Sequence, residues 1–326
     1  MATKKIPLKI RFLIGAHKIV SNTFCHSNQT VNRSLLTLFD FTNTPDKIPR
    51  HGVSSSDTLI DVSRNLWIRL FTPPAGDQAG LRPVIVYFHG GGFTFFTPAS
   101  FVYDNFCRRL VRELGVVVAS VNYRRSPEYR YPIQYDDSFD ALKFIDDNFD
   151  KCFPSGFADP KRCFLAGDSA GGNLAHHVAA RASEHEFRNL KIKGMVAIQP
   201  FFGGEERTES EIRNGGSSSA LPLKRTDWFW KAFLPEGTDR DHPAANVSGP
   251  NAVEISGMKF PDTLVIAGGL DPLLDWERKY MEWLKKGGKE VELVEYENMF
   301  HGFVVFEELT ESCLALEKMK DFIQKR

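Results

Sequence analysis

From residue 58 onward the chain switches repeatedly between two hydrophobic periods, and this switching limits the folds open to it more than any other feature. Short apolar runs fall at residues 58–61, 66–71, 83–89, 116–122, 163–167, 194–199, 262–267 and 291–296. Segments with apolar positions three and four apart fall at 134–149, 170–184, 227–233, 276–286 and 309–324. The first kind reads as strand and the second as helix. Several of the strands, such as Val84-Ile85-Val86-Tyr87-Phe88, are unbroken apolar runs, the pattern of strands covered on both faces. Strand–helix alternation therefore predicts an α/β chain with a mostly parallel eight-stranded sheet and helices on both faces. The first two strands are separated only by a turn around 63–65, which predicts an antiparallel hairpin at one edge. The 326 residues suffice for one large core, and we expect a single domain over 1–326. Two segments break the rhythm, 1–50 and about 201–251. The second is a long insertion of the kind that often forms a lid in α/β enzymes, so it is expected to contribute a cap.

Composition excludes several classes of function. Lys plus Arg number 41 and Asp plus Glu number 41, so no excess charge invites nucleic acid as a partner. The five cysteines (Cys25, Cys107, Cys152, Cys163, Cys313) are widely spaced and contain no C-x-x-C, which argues against both a disulfide framework and a zinc site. No apolar run approaches the roughly 20 residues that span a bilayer. Residues 1–39 hold no Asp or Glu but six basic residues (Lys4, Lys5, Lys9, Arg11, Lys18, Arg33). Such a start reads either as an organelle transit peptide or as an amphipathic helix with Ile10, Leu13 and Ile14 on one side. Charged residues interrupt any secretory core, and without one the sequons at Asn28, Asn32 and Asn246 carry little weight. The sequence sets no oligomeric state.

The chemistry resides in four short motifs. Gly167-Asp168-Ser169-Ala170-Gly171 lies between an apolar strand and a helical pattern, the context that gives G-x-S-x-G its meaning. The turn leaves no room for side chains beside the serine, and the helix N-terminus favours developing negative charge. A serine hydroxyl needs a base to attack an ester, and His301 follows the last strand by a short loop. The base needs an acid to fix its tautomer, and Asp271 follows the preceding strand; Asp275 is the competing acid, placed instead as a helix N-cap ahead of Trp276. The chain order is then Ser, Asp, His, with all three at C-terminal strand ends. His89-Gly90-Gly91-Gly92 ends another strand. Its glycines can turn backbone N–H groups onto one point, so the N–H groups of Gly91, Gly92 and Ala170 are the candidate oxyanion donors.

Taken together, H-G-G-G, G-D-S-A-G-G-N, G-L-D-P-L and H-G-F resemble the hormone-sensitive-lipase-like branch of the α/β-hydrolases, and plant carboxylesterases in particular. Asn122-Tyr123-Arg124-Arg125-Ser126-Pro127-Glu128, with Tyr131-Pro132, adds to the likeness, which covers residues 58 to 326. The resemblance implies an α/β-hydrolase fold with a small helical cap, part of it N-terminal, which selects the helix over the transit peptide. It implies a small-molecule ester as substrate, short-to-medium acyl groups, no metal and no organic cofactor, and a cytoplasmic location, with a nuclear one also compatible. The gibberellin receptor resembles the same family but departs at the catalytic His and in the glycine loop, both of which are intact here. A hormone-like binding protein is one alternative to hydrolysis. A lyase or cyclase of specialised metabolism is the other.

The remaining candidates divide by neighbourhood. Phe93, Phe95 and Phe96 directly follow the glycine loop, and with Trp228 and Trp230 they are equally suited to lining a substrate pocket or to filling the core. His89 has no evident acid partner and reads as a brace for the glycine loop. His176 and His177 read as packed or exposed helix residues, Asp168 as support for the turn, and Asn173 as structural. The charged run 205–211 reads as a solvated loop of the cap.

Overall fold

A computed structural model describes residues 6–46, 48–74, 80–153 and 158–326, so Lys4 and Lys5 of the basic start lie outside the described residues. All eight expected strands form: β1 (Ser54–Asp61), β2 (Leu66–Thr72), β3 (Arg82–Phe88), β4 (Val117–Asn122), β5 (Ala158–Asp168), β6 (Ile192–Ile198), β7 (Asp262–Gly268) and β8 (Val291–Tyr296). They make one sheet in the order β1-β2-β4-β3-β5-β6-β7-β8. β1 and β2 pair antiparallel, as do β2 and β4. Every later pairing is parallel, so the strands from β3 to β8 present their C-terminal ends along one edge. The hairpin turns on Asp61, whose carboxylate accepts the backbone N–H of Ser63 at 2.9 Å and of Arg64 at 3.2 Å.

The two-residue period of the strands sends side chains into two separate cores. In β3, Val84, Val86 and Phe88 enter one and Ile85 and Tyr87 the other, each of them fully buried. The covering helices are α1 (Leu8–Phe24), α2 (Arg33–Phe39), α3 (Phe101–Leu114), α4 (Ile133–Asp147), α5 (Phe149–Cys152), α6 (Ala170–Ala182), α7 (Glu209–Asn214), α8 (Leu223–Phe233), α9 (Leu274–Lys286) and α10 (Thr310–Gln324). The N-terminal helix is present, with Ile10 fully buried. Residues 25–31 then turn back, Cys25 pairing with Val31, so that α2 returns against α1.

Two readings of the sequence need correction. The run 205–211 is a solvated loop only at its start, where Glu205 and Glu206 are exposed, and from Glu209 it is helical. Thr208 caps α7 in a reciprocal capping box with Glu211, whose side chain is only 4% exposed and whose Oε2 also accepts Trp276 Nε1–H at 3.0 Å. Its apparent polarity hid a helix that docks on α9. Asp275 does not cap its own helix, because α9 begins one residue earlier, at Leu274. It serves α7 instead, its Oδ2 accepting Ser210 N–H at 2.7 Å.

Candidate active site

Ser169 stands between β5 and α6 at φ 53°, ψ −120°, a backbone conformation that serine adopts only under constraint. The constraint is visible around it. Its N–H donates to Ile198 O at 2.8 Å, and its own carbonyl accepts Phe201 N–H at 2.8 Å and Gly172 N–H at 3.0 Å. A Cβ on Gly167 would lie 2.2 Å from Gly171 O, and one on Gly171 only 1.8 Å from Phe88 O. The two glycines therefore let strand, turn and helix approach closely enough to lift the serine hydroxyl clear.

The loops after β7 and β8 bring the other two groups to it. His301 Nε2 lies 2.9 Å from Ser169 Oγ, and His301 Nδ1 lies 2.7 Å from Asp271 Oδ2. Asp271 is fully buried, and its Oδ1 accepts Leu273 N–H at 2.9 Å. Burial of the imidazole works to lower its pKa, but the charge and hydrogen bond of Asp271, with a smaller effect from Asp168, outweigh it and hold His301 above the usual 6.5. Of the two acids the sequence offered, Asp271 faces His301, while Asp275 is engaged by Ser210 and Arg278.

The glycine loop runs beside the serine. Gly91 (φ 100°) and Gly92 (φ 59°) occupy conformations open to glycine, and Gly91 O accepts the N–H groups of Thr94 and Phe95 at 3.0 and 2.9 Å. Among the described residues the N–H groups of Gly91, Gly92 and Ala170 donate to no protein acceptor. Asp168 joins this loop to the serine turn. Its carboxylate accepts Tyr87 O–H at 2.7 Å, Tyr103 O–H at 2.8 Å and Gly90 N–H at 3.0 Å. Burial pushes Asp168 up despite these donors. His89 is buried and stacked on Tyr123 with ring centroids 4.4 Å apart, and burial pushes it down to about 3. It is therefore neutral, and its Nδ1–H donates to Gly90 O at 2.9 Å. Asn173 ties α6 to the segments above it, accepting Tyr135 O–H at 2.6 Å and donating to Ala244 O at 2.8 Å. His176 and His177 are packed side chains whose burial keeps both well below the ordinary histidine value.

The aromatic candidates part company. Phe95 lines a cleft with His17, Val20, Leu36, Phe39 and Phe96, under the N-terminal helices. Phe93 does not reach that cleft, because its ring is fully buried and stacked on Phe233 at 3.8 Å. Trp228 does not reach it either; its Nε1–H donates to His26 O at 2.7 Å and fastens the N-terminal segment to α8. Arg33 adds a second fastening, donating to Thr94 O and Ser126 O and pairing with Glu128 at 2.6 Å. Sequence reading overlooked Gln199. It directly follows β6 at the same sheet edge, and its side chain touches Asp271 and the backbone on either side of His301. The sequence showed only a polar residue directly after the apolar run 195–198, with nothing to mark its partners.

Comparison with known proteins agrees with this fold. A family model described as the alpha/beta hydrolase fold matches residues 85–305, more than half of the chain. A gibberellin receptor of Arabidopsis thaliana is 40% identical over 98% of this chain and 94% of its own. A carboxylesterase of the same plant is 37% identical over 76% of this chain and 78% of its own. Among solved structures, an esterase from Pyrobaculum calidifontis superposes with a TM-score of 0.75 at 29% identity, covering 99% of both chains.

Proposed function

We propose that this chain, which belongs to the α/β-hydrolase family in the group that holds plant carboxylesterases and gibberellin receptors, hydrolyses carboxylic esters of small molecules through a Ser169–His301–Asp271 triad. The observation that carries the proposal is the unbroken line of hydrogen-bond distances from Ser169 Oγ through His301 to Asp271, 2.9 and 2.7 Å. His301 Nε2 takes the hydroxyl proton as Ser169 Oγ attacks the ester carbonyl. The carbonyl oxygen becomes an oxyanion and receives the free N–H groups of Gly91, Gly92 and Ala170. His301 then gives its proton to the leaving alcohol, and the acyl group remains on Ser169. Water attacks that acyl-enzyme by the same route, the acid leaves and the serine regains its proton. Asp271 keeps the imidazole oriented and stabilises it while it is charged. Residues 1–50 and about 201–251 serve as the cap that shapes the acyl and alcohol sites. We place the working protein in the cytoplasm.

The test is hydrolysis of p-nitrophenyl esters from acetate to octanoate by the wild type and by Ser169→Ala. Turnover by the first and a loss of at least about 10⁴-fold in the second is the expected result. A folded wild type that turns over none of them overturns the esterase reading. One observation favours a second reading. The match to the receptor reaches through the N-terminal segment, whereas the match to the carboxylesterase covers a smaller share of this chain. Binding of a gibberellin by the folded protein, without release of any hydrolysis product, would support a receptor-like role.

A further inference from the structure

β6 is the strand between β5 and β7, and no member of the triad sits at its end. The residue that follows it, Gln199, nevertheless joins the triad's surroundings. Its Nε2–H donates to Asp271 Oδ2 at 2.6 Å, the same oxygen that faces His301 Nδ1 at 2.7 Å. The same nitrogen reaches Phe300 O at 3.2 Å, and Gln199 Oε1 accepts Gly302 N–H at 2.8 Å. One amide thus holds the acid and the residues before and after the base. It is itself firmly held. Gln199 is 1% exposed, its backbone stands at φ 43°, and its N–H donates to Ile266 O at 2.7 Å.

We infer that Gln199 is a positioning residue for the triad: it fixes the His301 loop against Asp271, and by donating to the shared carboxylate oxygen it limits how strongly Asp271 holds a proton on His301. An oxygen that serves two donors gives less to each than an oxygen that serves one. Take the amide away and the charge on Asp271 Oδ2 falls wholly on the imidazole, which favours imidazolium and makes the base hold its proton to higher pH. Losing the bonds to Phe300 and Gly302 also frees the loop, which lowers the rate of the step the base performs. The other charged groups near this pair come from three elements. Asp168 on β5 acts on His301 directly. Glu277 on α9 is fully buried with neither oxygen hydrogen-bonded among the described residues. Asp275, Arg278 and Glu295, from α9 and β8, form a chain of ion pairs at 3.4 and 2.6 Å. None of these changes when Gln199 is replaced.

The inference rests on the triad reading above, and the experiment separates the two. kcat and KM for p-nitrophenyl acetate are measured from about pH 5 to 9 for wild type, Ser169→Ala, Gln199→Leu and Gln199→Glu. Active sites are counted by a stoichiometric fluorophosphonate burst, so that misfolded protein is not scored as slow protein. Gln199→Leu has a similar volume and no polar atoms. We expect its acid limb to move up by about half a pH unit or more and its plateau kcat to fall about tenfold, with KM changed by less than about twofold. Gln199→Glu retains an acceptor for Gly302 N–H but can bond Asp271 only through a shared proton. It should therefore lose activity again at high pH, giving a bell that the wild type lacks. A structural role alone would lower the count of active sites and leave the limb in place. Wild-type limbs and plateaus in both variants overturn the inference while leaving the triad intact. If Gln199→Leu does not fold, the presence or absence of the bell in Gln199→Glu decides. If the wild type is inactive, or Ser169→Ala is not, the triad reading fails and this inference falls with it.

Discussion

His301 illustrates how one residue acquires a pH dependence from its neighbours. Its pKa stands above 6.5 because Asp271 and Asp168 outweigh the cost of burying the charged ring. The base works only when neutral, so esterase activity should be full at alkaline pH and fall as pH drops through a value above 6.5. A kcat/KM profile with its acid limb below 6 would contradict this. Asp271→Asn keeps the shape but removes the charge that orients the ring, and should cost about 10⁴-fold in kcat with little effect on folding. Gly171→Ala acts through space alone. Its Cβ would meet the backbone oxygen of Phe88 at 1.8 Å, so the variant should lose both thermal stability and activity. Wild-type melting and turnover would show that the turn can relax. These residues were legible in the sequence because a reacting serine, its base and its acid must occupy strand ends in a fixed order. Gln199 was not, because its role depends on a contact across 72 positions of sequence that no local pattern records.

Secondary elements were legible where their faces are cleanly divided and illegible where buried faces are polar. α3 went unread because Asp104, Arg108 and Arg109 point inward and break the apolar stripe. Inside, they are paired: Arg108 bonds Asp104 at 2.9 Å and Ser55 Oγ at 2.7 Å, and Arg109 bonds Ser312 Oγ at 2.7 Å. α7 went unread for a related reason, since Glu211 reads as a surface charge but serves Thr208, Arg207 and Trp276 at once. Glu211→Ala should therefore destabilise the protein by about 2–3 kcal/mol, with charge-assisted bonds of roughly 1.5–3 kcal/mol at stake, measured by urea unfolding. Glu211→Gln, which can still complete the capping box, should cost less. Equal losses in the two would show that the box contributes nothing. Arg33→Ala removes the bonds that tie α2 to Thr94, Ser126 and Glu128. It should make residues near α1 and α2 more sensitive to a low dose of protease while leaving the main sheet resistant.

The mostly parallel sheet covered on both faces follows from alternation along the chain and was open to sequence reading, whereas its strand order, with β4 between β2 and β3, was not. The way the described part of residues 1–50 sits on the sheet was not legible either, because that packing is made by a few long-range contacts. Ile10 joins one core cluster, while Cys25 and Leu36 join the other. Sharing both cores, the segment should unfold with the rest: fluorescence and far-ultraviolet circular dichroism are expected to report one coincident transition. An earlier transition confined to the segment would show that it is an independently folding attachment.

The parallel edge from β5 to β8 has a wider consequence. Ser169, Gln199, Asp271 and His301 each follow a different strand along it, so their separations are inherited from the spacing of a hydrogen-bonded lattice rather than from the flexible chain between them. The cleft under α1 and α2, by contrast, is walled partly by side chains from a segment fastened at a handful of points. Under the proposed function, with these helices as part of the cap, substitutions there would change what is admitted while the reacting atoms keep their distances. A molecule built in this way can exchange one ligand for another, or catalysis for retention, by small steps, none of which requires the frame to be rebuilt.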